Sequence, residues 1–341
     1  MENDNWELHH KKINDFFEFV IKDSFPNSKI QNSESHGSPT KPPNSFKGIV
    51  SPKNLFVGTR YEIPENCNLI HYTDFHSLLS ILNSGFFRMS EFKNFKDKSE
   101  FIYSSNFLNH PPFSNLKSPD IENLKKDLFG FSSCLSNDDT KRNHYMWNMY
   151  ADNAKGVCIE FQIKLNNPSY TFGKILYGNE NLDIIDRIKN QTEIFMINNK
   201  NFTVSNFIQF ISTVLSFHKS KKYHYENEIR IFHLRNKFME DVNIYQDLNS
   251  NFDKTNFCKI YHDISKHPNY KTETCDKTYF NLIPRIEIKN IILGYNLSNQ
   301  QKNNIKMKID EIKSKFGYNF NISHINEEEE IIDITKYPHF Y

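Results

Sequence analysis

The sequence predicts an α+β fold with a mixed, mostly antiparallel central sheet and peripheral helices. Three observations lead there. Short alternating or apolar segments, such as Gly156–Ile163, Glu228–Leu234 and Ile286–Leu293, read as strands. Between and beyond them, Phe75–Leu82 and Asn299–Lys315 carry apolar residues at helical spacing. At 341 residues the chain is long enough for a substantial core, and its 31 Phe and 17 Tyr supply buried area that few Ala and Val provide.

In chain order, Trp6, Leu8, Ile13, Phe16, Phe17, Val20 and Ile21 mark an amphipathic helix. Residues 26–55, with Pro26, Pro39, Pro42, Pro43 and Pro52, read as a linker or extended arm. The chain therefore divides into an N-terminal helix and Pro-rich arm over 1–60 and an α+β domain over 61–341. Asn68–Tyr72 reads as a strand, with Thr73 or Asp74 capping the next helix and Gly85 ending it. Phe86–Ser90 follows as a strand, then a polar loop over 91–100 and a helical stretch over 101–128 broken at Pro111 and Pro112. Leu128–Ser136 is a strand, Asn137–Lys141 a loop and His144–Tyr150 a short helix. Thr171–Tyr177 is a strand, 181–222 is mainly helical, and a last strand near Asn319–Ile322 precedes the acidic run Glu327–Glu330.

Composition narrows the function. A net charge of +1 argues against a dedicated nucleic-acid binder, apart from the local run Lys219–Lys222. Five scattered cysteines without a CxxC pair suit free thiols in a reducing cytoplasm. The polar N-terminus gives no sign of a signal peptide, and no apolar stretch approaches the ~20 residues of a membrane span. GxGxxG after a strand, GxxxxGK[ST], GxSxG and HExxH are all absent, so no metal site is expected.

Three strand segments and one short helix carry candidate chemistry. His71 ends a strand before a helix start, where functional groups often face a pocket; its plainer role is a bond to a backbone carbonyl. Ser132, Cys134 and Ser136 alternate onto one strand face, or serve as ordinary strand residues. Glu226 and Glu228 lie two apart, so an extended chain points both the same way, with Arg230 next on that face to hold one carboxylate. A carboxylate pair can do acid–base work or stabilise an oxocarbenium ion, and a structural Glu–Arg pair is the alternative. Trp147 and Tyr150 share a helix face and either stack on a base or anchor the core. A histidine strand, a serine strand and Glu-x-Glu together suggest a site that grips a nucleotide and handles a sugar cation.

These segments resemble the bacterial domain-of-unknown-function family 2971. The resemblance rests on His71-Tyr72-Thr73, Ile81-Leu82-Asn83-Ser84-Gly85, Phe131-Ser132-Ser133-Cys134-Leu135-Ser136, Met146-Trp147-Asn148-Met149-Tyr150, Gly156-Val157-Cys158-Ile159, Glu226-Asn227-Glu228-Ile229-Arg230 and Ile291-Ile292-Leu293-Gly294. It covers about residues 65–300. Where the family carries an Asn-Asp-Pro type of turn, this chain has Asn94-Phe95-Lys96-Asp97, and no role is expected for that loop. The motif order is in turn similar to that of ADP-ribosyltransferases, which implies a split central sheet and NAD as substrate, with no metal. By that resemblance Glu228 is the catalytic carboxylate and Glu226 its helper. His71, with Tyr72 and Thr73, binds the ribose or carboxamide; Ser132 or Ser136 supports the pocket; Trp147, Tyr150 and Arg230 complete it. The implied setting is a cytoplasmic bacterial enzyme, a defence or toxin effector, acting on a protein, a nucleic acid or water. Two other readings stay open: a nucleotide or nucleic-acid binding module without chemistry, and a non-NAD hydrolase using the paired glutamates.

Overall fold

The computed structural model of the protein describes residues 2–34, 46–50, 55–64, 66–95, 125, 127–164, 170–200, 207–235, 244–248, 254–264, 267, 284–325 and 331–333. The expected helix over 101–128 and the acidic run at Glu327–Glu330 fall almost wholly outside them, as do Pro39, Pro42, Pro43 and Pro52.

The first helix, α1 (Glu2–Phe16), passes through a π-helical turn (Phe17–Ile21) into α2 (Lys22–Ser24). Within the stretch read as an extended arm, β1 (Ile30–Glu34) and β2 (Phe46–Val50) pair antiparallel. Next come β3 (Leu69–Thr73), α3 (Phe75–Ser84) and β4 (Phe86–Glu91), then a 3-10 turn at Phe92–Asn94. Asp74 caps α3 by accepting from the Ser77 amide, and Gly85 ends it in the left-handed region, both as the sequence predicts. The chain continues through β5 (Leu128–Leu135), α4 (Asp138–Lys141), α5 (His144–Tyr150), β6 (Val157–Lys164), β7 (Tyr170–Lys174) and β8 (Leu176–Tyr177). The expected loop at 137–141 is a one-turn helix instead, because Asn137 and Thr140 form a reciprocal capping box. The helices α6 (Asp183–Asn198) and α7 (Ile208–Leu215) precede β9 (His218–Lys219), a 3-10 turn (Lys221–Glu226) and β10 (Glu228–Leu234). The last elements are β11 (Ile244–Leu248), β12 (Lys254–His262), β13 (Arg285–Leu293), α8 (Asn299–Phe316), β14 (Asn321–Ile325) and β15 (Ile331–Asp333).

The sheet is mixed and mostly antiparallel, and six of its strands close a ring. Pairing runs β12–β4–β5–β3–β6–β13 and back from β13 to β12. The closing contact is parallel, at Tyr261–Arg285 and His262–Ile286. The other strands branch outward: β10 and β7 from β5, β14 and β15 from β13, and β11 from β12. Closure removes the exposed edges of the ring strands. The sequence reading contains neither β11 nor β12, and so lacks the strand that closes the barrel. The reason is physical. From Phe257 to His262 every residue of β12 is buried, so its two faces do not alternate in polarity. Lys259 sits among them because its ammonium lies 3.5 Å from the centre of the Tyr245 ring.

β5 organises the functional side of this barrel. β10 covers one of its edges from Leu128 to Cys134. A strand has two edges, so β4 and β3 must share the other. β4 pairs at Phe129 and Gly130, and β3 at Cys134 and Leu135. Phe131, Ser132 and Ser133 lie between, where β3 and β4 diverge. Gly130 leaves room for the aromatic pair that follows β4: a Cβ there would stand 2.8 Å from the Phe92 ring and 2.9 Å from Phe95.

Among the described residues three apolar clusters hold these parts together. The barrel interior joins α3 and α8 through Leu78, Leu82, Ile305 and Ile309. A second cluster packs Ile13, Phe16, Val20 and Phe25 of the N-terminal segment against Phe195, Phe207 and Phe210. The third gathers Tyr72, Cys134, Met146 and Cys158 around Trp147, which is fully buried. The Trp147 indole N–H donates to the Lys141 carbonyl at 2.7 Å, and its ring meets Tyr72 edge-on. This burial makes Trp147→Ala costly: the expected loss is about 3–5 kcal/mol, measured by urea denaturation, and a loss below about 1 kcal/mol would contradict the packing.

Candidate functional site

A cavity of 460 Å³ opens where β3 and β4 part. Its lining includes His71 and Tyr72 from β3, Arg88 and Ser90 from β4, Ser132 from β5, Tyr150 from α5, and Lys219, Glu226 and Glu228. A second cavity of 560 Å³ lies alongside, between α3 and β4, and takes Thr73.

Glu228 is the centre of the charged network. It begins β10 and is 4% exposed. Its Oε1 accepts from the Ser132 hydroxyl at 2.5 Å and from Arg230 Nε at 2.8 Å, and Arg230 Nη2 lies 2.7 Å away. Arg230 thus holds this carboxylate, as the sequence reading expected of one of the pair, with two nitrogens converging on one oxygen. Arg230 Nη1 donates to the Ser216 carbonyl at 2.5 Å, and its guanidinium lies over the stacked rings of Phe92 and Phe95. The other oxygen, Oε2, lies 2.6 Å from Lys219 Nζ.

Glu226 reaches the same lysine, but not from the extended chain expected of it. It ends a 3-10 turn and is not on the strand, and Asn227 adopts φ 43, ψ 44. Asparagine tolerates this left-handed geometry. The kink brings Glu226 Oε2 to 2.9 Å from Lys219 Nζ, and Tyr150 donates its hydroxyl to Oε1 at 2.6 Å. Lys219 is positioned by the parallel pairing of β8 and β9, which sets it opposite Tyr177. The Tyr177 hydroxyl in turn accepts the Glu228 amide at 2.8 Å.

These contacts decide the protonation states. Burial alone would raise the Glu228 carboxyl, but the charges of Arg230 and Lys219 and the Ser132 hydrogen bond bring it down to about 2. It is a carboxylate at neutral pH, unsuited to be a general acid. Burial lowers His71 to about 4, against a hydrogen bond that favours its charged form. Its Nδ1 lies 3.1 Å from the Ser132 carbonyl, which can only accept. His71 is therefore neutral with Nδ1 protonated, and Nε2 is left as an acceptor. Burial pushes the Cys134 thiol up, so it stays protonated and donates to the Glu226 carbonyl.

The structure brings together His71, Tyr72, Ser132, Tyr150, Glu226 and Glu228 around one cavity. It places the others elsewhere. Ser136 lies past the end of β5 and donates to Glu160, which is also paired with Lys141. Trp147 is enclosed in the core and cannot stack on a base. Arg230 stands behind Glu228 and acts through it. Tyr72 is itself buried, with its hydroxyl donating to the Thr140 carbonyl. Sequence reasoning missed Lys219, Arg88, Asn94 and Phe95. Lys219 stood in a run taken for a surface patch, and the loop at Asn94 was given no role. A buried lysine four residues past the α7 segment carries no local signal of its partners.

Among the described residues no group of His, Cys, Asp or Glu side chains is arranged to hold a metal ion, and no helix is long and apolar enough to cross a membrane. Residues 146–231 match a family described as "Protein of unknown function (DUF2971)". The matched stretch runs from α5 through β10 and contains Tyr150, Lys219, Glu226, Glu228 and Arg230; His71 and Ser132 lie outside it. No curated protein and no solved structure matches the chain.

Removing one partner from a buried charge cluster leaves the others uncompensated. Glu228→Gln is therefore expected to destabilise the protein by about 3–5 kcal/mol at pH 7. The sign with pH follows from a folded value near 2 and an unfolded glutamate near about 4.3. The stabilisation is fully present above about pH 4.3 and is lost as pH falls toward 2. Denaturation of wild type and Glu228→Gln across this window should show the gap closing on acidification; a gap that stays constant from pH 6 to pH 2 would contradict the ion pairing.

Proposed function

We propose that this protein cleaves the nicotinamide–ribose bond of NAD and passes ADP-ribose to an acceptor or to water. The observation that carries the reading is the convergence of His71, Ser132, Tyr150, Glu226 and Glu228, from separate elements, on one cavity. As the C–N bond breaks, its electron pair leaves with nicotinamide and the ribose gains oxocarbenium character. A fixed carboxylate beside that carbon stabilises the developing charge without having to move. Glu228 is ionised and held on three sides, which suits this role. His71 Nε2 can accept from a ribose hydroxyl. Tyr150, 44% exposed, ties Glu226 to the rim, where an acceptor would arrive.

One observation favours a second reading, a nucleotide-binding module without chemistry. Glu228 already meets Ser132, Arg230 and Lys219, so its charge is matched within the protein. The hydrolase alternative is weaker. Paired-carboxylate hydrolysis needs one raised carboxyl as general acid, and the Glu228 carboxyl is shifted the other way.

Nicotinamide release from NAD by the purified protein separates these readings. The single Glu228→Gln change confounds chemistry with stability, so the informative variant is Lys219→Met/Glu228→Gln. It removes one charge of each sign and so leaves the net charge of the cluster unchanged. Wild type is expected to release nicotinamide, and the double variant to remain folded with release reduced on the order of a hundredfold or more. No release by wild type, or equal release by both, would contradict the catalytic assignment.

A further inference from the structure

The two cavities beside β4 share His71, Arg88 and Phe131. They are neighbouring lobes that meet along these three side chains, beside the gap between β3 and β4. Along the outer face of β4, Phe86 lines the second lobe, Ser90 lines the first, and Arg88 between them lines both. His71 stands at the same waist, its ring fixed by the Ser132 carbonyl and set against Phe87 and Phe131. Each lobe falls within the ~300–1,000 Å³ range of small-molecule pockets. The first is rich in charge, while the second has hydroxyls and an imidazole from Ser77, Ser80, Ser84 and His76 over Phe86 and Phe87.

We infer that the second lobe holds the adenosine half of the dinucleotide, with Arg88 gripping the pyrophosphate at the waist; this rests on the proposed NAD chemistry of the first lobe. Arg88 suits that position. Its guanidinium presents a rigid fork for phosphate oxygens, and its side chain is half exposed above the Phe257 ring. Its partner Asp247 is a half-exposed ion pair at 2.5 Å, the kind that contributes little and yields readily to a more highly charged ligand. Asp247 also lines the second lobe. The start of α3 does not compete for the phosphates, because the Asp74 carboxylate already caps it. Ser80, exposed on α3, lines the adenosine lobe.

The test is calorimetric binding of NAD, nicotinamide mononucleotide and ADP-ribose to wild type and Ser80→Leu, with nicotinamide release measured in parallel and folding checked by circular dichroism. A leucine on this exposed helical position keeps helix propensity and fills the lobe. Wild type is expected to bind NAD at least about tenfold more tightly than nicotinamide mononucleotide, as a second occupied lobe requires. In Ser80→Leu that ratio should collapse toward one, with ADP-ribose weakened in step with NAD. Equal affinity for NAD and nicotinamide mononucleotide in wild type, unchanged in the variant, overturns the two-lobe inference and leaves the cleavage reading standing. NAD binding that responds to Ser80→Leu without any nicotinamide release supports the two-lobe cleft and sinks the chemistry. Absence of binding by all three ligands overturns both.

Discussion

Two glutamates, a lysine and an arginine are buried together at one end of β10. Each would be costly alone, since taking an unpaired ion out of water costs several kcal/mol. Together they cancel: Lys219 spans Glu226 and Glu228, and Arg230 closes on Glu228. The surrounding elements are arranged to allow this. β8 sets Lys219 in register, Asn227 supplies the left-handed kink, and Ser132 and Tyr177 receive or supply the remaining hydrogen bonds. Phe92 and Phe95 cover the guanidinium face. The cluster trades stability for fixed charge: apolar residues of similar volume would pack as well, but could not present an ionised carboxylate at a cavity wall.

The barrel makes this placement possible. A closed ring gives β5 rigid support, while its shared edge leaves β3 and β4 apart at Phe131–Ser133. A ladder continuous on both edges would fill the space that the cavity now occupies. His71 resolves the local cost of the gap by donating to the Ser132 carbonyl, which would otherwise lack a strand partner. One side chain thus satisfies the backbone and leaves its second nitrogen for a ligand. The plainer role considered for His71, a bond to a carbonyl, and its pocket role are the same geometry.

Much of this was legible in the sequence, and the exceptions have a common cause. Asp74, Gly85 and the alternation of Gly156–Ile163 act within a few residues, so β3, α3 and β6 lie close to where local patterns put them. The convergence of His71, Ser132 and Glu228 could be named because each sits on or beside a readable strand. What failed depended on distant partners. β12 lost its alternation to burial on both faces, and the barrel's closure went with it. Lys219 is a surface residue by local rules and a buried one by its two carboxylates. Ser136 shares the alternation of Ser132, yet the strand has ended by then and Glu160 takes its hydroxyl. Trp147 has the right helical spacing to join Tyr150, but α5 turns it into the core.

The central claim is that Lys219 and Arg230 hold Glu228 ionised at the cavity wall. Carbon-13 NMR of the side-chain carboxyl of Glu228, titrated on the folded protein, tests it most directly. The account predicts a carboxylate that stays ionised on acidification to below about pH 3, well under the unperturbed value of about 4.3. A midpoint at or above that unperturbed value would contradict it, and would mean that the four charges do not act as one cluster.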